Sequence, residues 1–470
     1  MKHSEDEYKS VTVYGGVDIH DQIRELRGGV DFFVGTTGRV LDHIERGNID
    51  FSDIKTVVLD EADQMLKLGF MEDVDSILKT IKKSLKNDNL QICLFSATIP
   101  PWVRDVARNY MKRDYKLVDL AKNLKNKTSQ TVNHLAINCP FHNRIAVLAD
   151  LLVVYGGPTG KTIVFTQTKA DANSLILTDK IKEDVEVMHG DIAQNQREVT
   201  LKRFKEGKFN VLVATDVASR GLDIPNVDLV IQVEPPQDTE TYIHRSGRTA
   251  RAGNSGTCIT FYNKKNQAQL QNIEDKAGIK FKIIGAPQPE DVIRASAKGV
   301  FKKIDEVTEE VLDLFTESAE QLSQKFGGDK DKALKACLAF ISGRYKNTLV
   351  GRSLLSGTEK MTTLEMSFNT PIKRETTALE QAWTYLRSAV PPKNTDNLKG
   401  IRVKKDGTGV IFDVWEDKVE RFLYGPEYLR ERDGKVDFDI FKCTALPELV
   451  EEDDYQGGSG WRAGGGSSGY

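Results

Sequence analysis

The chain has 470 residues, of which 39% are apolar and 29% charged, and this length predicts two to four domains, each with its own apolar core. No uncharged apolar run approaches the roughly 18 residues of a membrane span, and the start, MKHSEDEYKS, is polar, so the sequence predicts a protein without membrane span or secretory signal that stays inside the cell. A formal net charge of −3 means that any nucleic-acid site must be a local patch, and five cysteines without a C-x-x-C pair argue against a zinc site or a disulfide framework.

Short β-branched runs alternate with helical patterns over the first 285 residues, which is typical of parallel sheets covered by helices. Strands are predicted at 30–36, 54–62, 90–98, 162–168, 185–190, 210–216, 227–234 and 256–263. Helices are predicted between them, for example at 195–204 and 239–246. The Lys- and Asn-rich stretch 112–138 interrupts this alternation and is interpreted as a linker between two α/β units.

Beyond residues 284–289 the pattern becomes that of a small α+β domain. Helices are predicted at 308–325, 330–343 and 378–389, with a strand at 362–369 and a hairpin that turns at Lys405-Asp406-Gly407. Residues 430–470, which end in GGSGWRAGGGSSGY, are predicted to form a disordered Gly-rich tail.

An apolar strand in VVLDEADQML ends in two carboxylates, Asp60 and Glu61, at the edge where parallel sheets place their ligands. An Asp there can hold Mg²⁺, and the following Glu can orient and deprotonate a water. Two acids after a strand are equally compatible with a solvated turn and a helix N-cap. Ser96-Ala97-Thr98 closes the next strand, where short hydroxyls can relay strain from a nucleotide pocket.

Three arginines lie close together in HRSGRTARAG, namely Arg245, Arg248 and Arg251. The last two, spaced i and i+3, can both reach one phosphate. A basic surface helix is the alternative reading.

The order of these motifs resembles the DEAD-box RNA helicases over residues 1–285. The resemblance is carried by GG at 15–16, TTGR at 36–39, DEAD at 60–63, SAT at 96–98, VFTQT at 164–168, HGDIAQNQR at 189–197, ATDVASRGLDIP at 214–225 and HRSGRTAR at 244–251. It implies two RecA-like domains that close around ATP, Mg²⁺ and single-stranded RNA.

The resemblance also implies a role for each matching residue. Asp60 would hold Mg²⁺ through water and Glu61 would serve the hydrolytic water. Asp63, Ser96 and Thr98 would link the ATP site to domain closure. From the second domain, Asp223 would lie at the nucleotide, His244 would join the interdomain network, and Arg248 and Arg251 would touch the transferred phosphate. The RNA path would be lined by Gly16, Thr37, Gly38, Arg39, Thr168, Gly190, Gln194, Arg197 and Thr215. Glycines, hydroxyls and arginines suit phosphates rather than base edges, so RNA binding is expected to be indifferent to sequence and weakened by salt.

Residues 156–162 read GGPTGKT and are similar to a phosphate-binding loop. Such a loop needs G-x-x-x-x-G-K-[ST] between a strand and a helix, but Tyr155 occupies the first glycine position, and here a helical pattern precedes and a strand follows. We therefore predict a turn at the start of the second RecA-like domain. The family's phosphate loop precedes the GG motif, so the first domain is expected to lack its front half, and this chain alone is expected to hydrolyse ATP poorly or not at all.

Three positions depart from the family pattern, one of them harmlessly, since Ser219 replaces the commoner alanine. Thr37 replaces the usual proline, and Ala250 stands where the family usually has glycine. If position 250 requires a positive φ, the methyl group costs about 1 kcal/mol.

Residues 305–425 resemble the GUCT domain of nucleolar helicases of the Gu subfamily, and 276–296 resemble the segment that joins it to the helicase core. The GUCT fold is similar to RNA-recognition modules, whose sheet stacks bases on aromatics. Here only Phe412 lies at a comparable place, and Phe412 and Ile411 are expected to divide between core and surface, so no stacking is predicted. The residues Lys399, Arg402, Lys404 and Lys405 can hold phosphates or form a solvated basic edge.

The predicted fold is therefore α/β, with two RecA-like parallel-sheet domains, the first incomplete, followed by a small α+β RNA-recognition-like GUCT domain. The helicase domains are residues 1–119 and 128–285, the GUCT domain is 305–425, and the tail is 430–470. Residues 286–304 are a connecting segment, through which the resemblance implies a possible homodimer. The resemblance implies an ATP-dependent helicase for structured RNA, such as ribosomal precursors, in the nucleus and nucleolus. The alternative is a non-enzymatic RNA-binding or scaffold protein derived from a helicase.

Overall fold

The computed structural model describes residues 8–67, 69–86, 89–96, 99, 101–119, 131–157, 159–177, 181, 184–216, 227–250, 255–342, 350–372, 375–390, 398–434 and 436–450. The chain divides into two compact units. The first contains residues 1–125 and 190–203, and the second contains residues 126–189 and 204–470.

The first unit is built from short parallel strands flanked by helices. Its elements are β1 (Ser10–Val13), α1 (Ile19–Leu26), β2 (Phe32–Gly35), α2 (Thr37–Glu45), β3 (Thr56–Leu59), α3 (Ala62–Lys67), α4 (Met71–Ser84), β4 (Gln91–Leu94) and α5 (Pro101–Tyr110). Strand β1 pairs with β2, and β3 pairs with β4, both in parallel. Helix α4 buries Val74, Leu78 and Ile81, which its i, i+4, i+7 spacing places on one face.

The second unit begins with a seven-stranded parallel sheet. Its strands are β5 (Val132–Asn138), β6 (Thr162–Phe165), β7 (Val185–Met188), β8 (Val211–Ala214), β9 (Leu229–Gln232), β10 (Gly256–Tyr262) and β11 (Lys282–Ile283), in the spatial order β11-β5-β10-β9-β6-β8-β7. Its helices are α6 (Arg144–Leu151), α7 (Lys169–Ile176), α9 (Thr239–Ser246) and α10 (Gln267–Ala277), whereas α8 (Gln194–Lys205) lies mainly within residues 190–203 of the first unit. Every residue of β6, β8 and β9 is buried, which explains why these strands read as continuous apolar runs.

The same unit continues into helices and an antiparallel sheet. The helices α11 (Pro289–Ile304), α12 (Glu309–Leu314), α13 (Thr316–Lys325) and α14 (Lys330–Ile341) lead to β12 (Met361–Phe368), α15 (Glu375–Ala389), β13 (Lys399–Val403), β14 (Gly409–Trp415), α16 (Val419–Asp433) and β15 (Phe438–Lys442). The strands lie in the order β13-β14-β12-β15. Their core face carries alternate residues, including Met366 and Phe412, which pack against α15 and α16.

The predicted α/β architecture with parallel sheets and a terminal α+β domain is confirmed. Two predictions are wrong. The stretch 112–138, interpreted as a linker, contains β5, which is held between β10 and β11 although it carries Asn133 and His134. Residues 430–450, predicted to belong to a disordered tail, contain the end of α16 and all of β15, because Phe438 and Ile440 alternate into the core. No helix in the described part of the chain is long and apolar enough to cross a membrane.

Ala250 has φ +58° and is 5% exposed, so it occupies the left-handed region in which glycine is preferred. We expect Ala250→Gly to be neutral or stabilising by up to about 1 kcal/mol, because relief of left-handed strain exceeds the entropy that glycine adds to the unfolded chain. Ala146→Gly, in α6 and also 5% exposed, should instead destabilise the unit by about 1 kcal/mol. Hydrogen exchange of amides in the seven-stranded sheet, followed at increasing urea concentration, gives the free energy of unfolding of each variant. Equal destabilisation would contradict the assignment of strain to Ala250.

Candidate functional site

The DEAD residues lie where β3 and β4 end side by side. The two strands are parallel and in register from Thr56 opposite Gln91 to Leu59 opposite Leu94. The chain after β3 is tied to the chain after β4, since the Asp63 amide donates to Ser96 Oγ at 3.3 Å and the Ala62 amide donates to the Phe95 carbonyl at 3.0 Å. The fold therefore brings Asp63 and Ser96 together, two residues to which the family resemblance assigns a shared role.

The carboxylates of this edge lie in different environments. Asp60 is exposed and accepts the Glu61 amide at 2.9 Å, whereas Asp63 is 1% exposed. Glu61 has φ +50°, a conformation that is uncommon outside glycine and occurs at functional sites. Among the described residues no group of three or more His, Cys, Asp or Glu could hold a metal ion. Asp60 fits one carboxylate ligand of a hydrated Mg²⁺, and the remaining oxygens would come from water and phosphate. Thr98 lies outside the described residues.

The predicted RNA residues of the first unit surround the start of α2. Thr37 and Gly38 form its first turn, and the Thr36 side chain makes no capping hydrogen bond, so the amides of this turn suit an anion. Arg39 is held inside the unit, because its Nη1 donates to Gln22 Oε1 at 3.0 Å and its Nη2 to the Val17 carbonyl at 3.1 Å. This guanidinium therefore fixes the loop after Gly16 to α2.

Gly16 and Gln194 are close neighbours within the first unit. Gly16 has φ +84°, and a Cβ atom there would lie 2.9 Å from Gln194 Cβ. Gln194 and Arg197 lie in the first turns of α8, where Arg197 Nε donates to the Ile192 carbonyl at 3.0 Å. Gly190, which precedes α8, is exposed.

Thr168 and Thr215 follow the neighbouring strands β6 and β8 of the second unit. The Thr168 hydroxyl caps α7 by accepting the Asp171 amide at 3.1 Å and donating to Asp171 Oδ2 at 2.7 Å. Thr215 is 8% exposed and its amide donates to the Met188 carbonyl at 3.2 Å. Thr168 is thus exposed beside the strand edge, while Thr215 is part of the packed edge itself.

Arg245 is a buried structural residue whose role the sequence did not reveal. Its Nε and Nη2 donate to the two Asp216 oxygens at 2.7 and 2.8 Å, and its Nη1 donates to Gln232 Oε1 at 3.2 Å. The guanidinium is 5.2 Å from the Phe165 ring centroid, and the residue is 2% exposed. Gln232 also donates to the Cys258 sulfur at 3.4 Å, and burial raises the pKa of that thiol to about 11. The interpretation as a basic surface helix is therefore wrong for Arg245, and the available signal was an Asp just after β8, 29 residues earlier in the sequence.

His244 directly precedes Arg245 in the sequence, and Arg248 follows it by three residues. His244 is half-buried in α9, and Arg248 is 9% exposed just beyond it. The Arg248 carbonyl accepts the Val227 amide at 3.2 Å, and its amide donates to the Arg245 carbonyl at 3.1 Å. Asp223 and Arg251 lie outside the described residues.

The GGPTGKT stretch forms a turn between a helix and a strand, as predicted. A π-helical turn (Leu152–Gly156) ends at Gly157, which has φ +67°, and β6 begins at Thr162. Lys161 is already engaged, since its amide donates to Asp228 Oδ2 at 2.8 Å and its Nζ donates to the Lys205 carbonyl at 2.8 Å. A carboxylate at this amide repels a phosphate, so the turn does not fit a nucleotide.

The face of the antiparallel sheet that faces away from the core is also closed. Phe412 lies in the core as expected, but Ile411, on the opposite face, is fully buried rather than exposed. Three of the four basic residues predicted near it have a partner. Lys404 pairs with Glu365 at 2.8 Å, Lys405 pairs with Glu448 at 3.6 Å, and Lys399 lies 5.3 Å from the Trp415 ring centroid. The sequence predicted no base stacking on this face, and a closed face agrees with that prediction.

Four family models match successive parts of the chain. The DEAD/DEAH box helicase model matches residues 2–106, and the helicase conserved C-terminal domain matches 143–253. The DDX21/DDX50 dimerisation domain matches 288–341, and the GUCT (NUC152) domain matches 345–450. Residues 305–341, which we assigned to GUCT, thus match the dimerisation model, and the GUCT match continues past residue 425 to the end of the antiparallel sheet.

Curated relatives resemble nearly the whole chain. Nucleolar RNA helicase 2 of Rattus norvegicus is 43% identical over 452 residues, which cover 96% of this chain and 56% of the relative. ATP-dependent RNA helicase DDX50 of Homo sapiens is 41% identical over 459 residues, which cover 96% of this chain and 60% of the relative. The chain therefore spans a little over half the length of these relatives.

Solved structures of the same kind match the helicase part. S. cerevisiae Dbp5 bound to RNA and ADP BeF3 is 30% identical with a TM-score of 0.50, and the match covers 59% of this chain and 70% of that one. Mss116p bound to ssRNA and AMP-PNP is 28% identical with a TM-score of 0.54, and the match covers 71% of this chain and 65% of that one. Both support RecA-like domains.

The Arg245–Asp216 pair generates a prediction about stability. Lysine retains the positive charge but cannot form the two-point contact, so Arg245→Lys should destabilise the seven-stranded sheet by about 2 kcal/mol. Arg294→Lys, at an exposed position of α11, should change stability by less than about 0.5 kcal/mol. Urea unfolding measures the free energy of unfolding of both variants. Equal values would show that the two-point contact of the Arg245 guanidinium does not stabilise the sheet.

Proposed function

The chain belongs to the DEAD/DEAH box helicase family, and from this premise we propose that it acts as an ATP-dependent RNA helicase that remodels structured RNA. The observation that carries the proposal is the shared edge of β3 and β4, where the backbone amide of Asp63 in the DEAD stretch donates to Ser96 Oγ. Relatives named nucleolar RNA helicase 2 support a role in ribosomal RNA processing in the nucleolus. ATP and Mg²⁺ would be the cofactors.

RNA would be held through its backbone by elements at the strand edges. The amides of the first turn of α2 suit a phosphate, and the start of α8 offers further polar groups. The exposed Thr168 hydroxyl would have to release Asp171 Oδ2 before it could donate to a phosphate. Arg39 would act by holding the loop after Gly16 in place rather than by reaching out to RNA. Binding of this kind is indifferent to base sequence and falls with salt.

A polypeptide of residues 1–470 alone would hydrolyse ATP poorly. The DEAD edge supplies the magnesium and water side of a nucleotide site, but Lys161 is bonded to Lys205 and its amide to Asp228. The turn at 156–162 therefore offers no cradle for the β- and γ-phosphates. This polypeptide can consequently serve as an RNA-binding scaffold without nucleotide turnover, which is the second candidate function.

Self-association is the third part of the proposal. Helices α11 to α14 expose large apolar side chains, including Phe301, Leu314, Phe315, Leu334 and Phe340, each at least 53% exposed. Apolar helix faces of this kind favour association with a second copy. The match of residues 288–341 to the DDX21/DDX50 dimerisation domain supports a homodimer.

Titration of purified residues 1–470 separates the two candidate functions. Labelled single-stranded RNA and a fluorescent ATP analogue are added separately and together, and RNA-stimulated phosphate release is followed in parallel. We expect salt-sensitive RNA binding that is equal for two unrelated sequences, with no saturable binding of the analogue and no mutual tightening. Glu61→Gln is the control, because phosphate release that survives in this variant comes from a contaminant.

Mutual tightening of RNA and analogue, with phosphate release that Glu61→Gln abolishes, would contradict the ATPase deficiency and leave the helicase proposal in place. Absence of RNA binding at low salt would contradict both candidate functions.

A further inference from the structure

The antiparallel sheet β12–β15 buries residues on the face that points away from its core. Thr363, Ile411 and Asp413 lie on this outer face, since their neighbours Leu364, Phe412 and Val414 point into the core. The three outer residues are 2%, 0% and 2% exposed. An antiparallel sheet with one solvated face would leave alternate residues exposed. The outer face is therefore covered by another part of the protein.

Residues 352–358, which precede β12, provide part of this cover. Asp413 Oδ2 accepts hydrogen bonds from Ser353 Oγ at 2.5 Å and Ser356 Oγ at 3.2 Å, and Asp413 Oδ1 accepts from Thr363 Oγ1 at 2.7 Å. The Leu354 amide donates to Thr363 Oγ1 at 2.8 Å. Burial raises the pKa of Asp413, and these hydroxyls counter the shift. The segment is thus bonded to the outer face at its centre.

The same segment is bonded to the domain of the seven-stranded sheet. Asn138 Nδ2, at the end of β5, donates to the Leu355 carbonyl at 3.1 Å. Arg352 Nε pairs with Asp150 Oδ2 of α6 at 3.0 Å, and the Arg352 carbonyl accepts Gln288 Nε2 at 2.9 Å. Arg352 is 9% exposed, so this ion pair is shielded from solvent. The segment therefore touches β5, α6 and the residue before α11.

Apolar packing closes the same junction. A Cβ atom on Gly285 would lie 2.5 Å from Leu354 Cδ2, so the backbone at 285 approaches the segment as closely as glycine allows. A Cβ on Gly357, which has φ +64°, would lie 3.3 Å from Val147 Cγ2. Leu354 and Leu355 are 7% and 9% exposed. Contact at this density resembles a domain core rather than a tether.

The charge of Arg402 on β13 also acts on Tyr262 of the parallel sheet. Burial raises the pKa of Tyr262, at the end of β10, to about 12, and the charge of Arg402 on β13 counters part of the shift. Arg402 lies opposite Ile411 on the outer face. This electrostatic effect agrees with the contacts of the 352–358 segment but is not itself a contact.

We propose that the outer face of the GUCT sheet is a docking surface for the C-terminal helicase domain of the same chain, and that the 352–358 segment fastens the two into one rigid body. In RNA-recognition modules the corresponding face stacks bases. Here it carries Thr363, Glu365, Ile411 and Asp413 and is occupied by protein. The GUCT domain and helices α11 to α14 then move together with the C-terminal helicase domain.

Hydrogen exchange on the whole 470-residue chain tests the docking. Asp150→Lys places a like charge against Arg352 from the helicase side, while the readout is taken in the GUCT domain. We expect exchange of the amides of 353–358 and 411–415 to rise at least about tenfold, with β6 unchanged. Asp275→Lys, the same charge change at an exposed position of α10, should leave all these rates unchanged.

A second variant distinguishes separation of the two domains from local unfolding caused by Asp150→Lys. Gly285→Leu should separate the domains through a clash with Leu354 and give the same pattern of faster exchange in 353–358 and 411–415. If residues 353–358 of the wild type exchange at the rate of a free loop, the docking is wrong. It is also wrong if both variants leave the GUCT amides as protected as in the wild type.

Discussion

The buried contact between Arg245 and Asp216 holds together the edge on which the second helicase domain depends. It joins α9 to the end of β8 and, through Gln232, to β9. Thr215 directly precedes Asp216, and His244 and Arg248 lie one and three residues from Arg245, so three of the predicted site residues of this domain adjoin the ion pair in the sequence. A bidentate arginine contact fixes distance and orientation at once. In the first unit the hydrogen bonds of Asp63 and Ala62 across the ends of β3 and β4 hold the DEAD edge in a similar way.

The covered outer face of the GUCT sheet changes how this domain relates to RNA. Its topology is that of an RNA-recognition module, yet polar side chains such as Thr363 and Asp413 are satisfied by Ser353, Ser356 and each other. Buried polar groups that are fully bonded specify one arrangement of their partners. The surface therefore has the character of an internal interface. RNA would contact the helicase edges, and the GUCT domain would set where helices α11 to α14 lie relative to the second sheet.

Sequence reasoning succeeded where a local pattern and the tertiary structure agree. The strands that become β6, β8 and β9 are apolar on both faces, and the turn at Lys405-Asp406-Gly407 is bounded by alternating strands, so both were predicted. It failed at β5, because the polar residues Asn133 and His134 interrupt the apolar pattern of a strand. This strand is held in the sheet by its pairing with β10 and β11. It also missed β15, since the alternation of Phe438 and Ile440 was outweighed by the Gly-rich residues that follow. Arg245 was missed because its partner lies 29 residues away. The catalytic and RNA-binding roles of all the site residues stay predictions, and Asp223, Arg251 and Thr98 lie outside the described residues.

The central claim is that RNA is held at the strand edges of the helicase units and not on the GUCT sheet. The most direct test is the hydrogen-exchange footprint of a single-stranded RNA on the 470-residue chain at low salt. The account predicts slower exchange in the first turn of α2 and in residues 190–197, with no change in β12 and β14. Protection confined to β12 and β14, with the α2 and 190–197 amides unaffected, would contradict it.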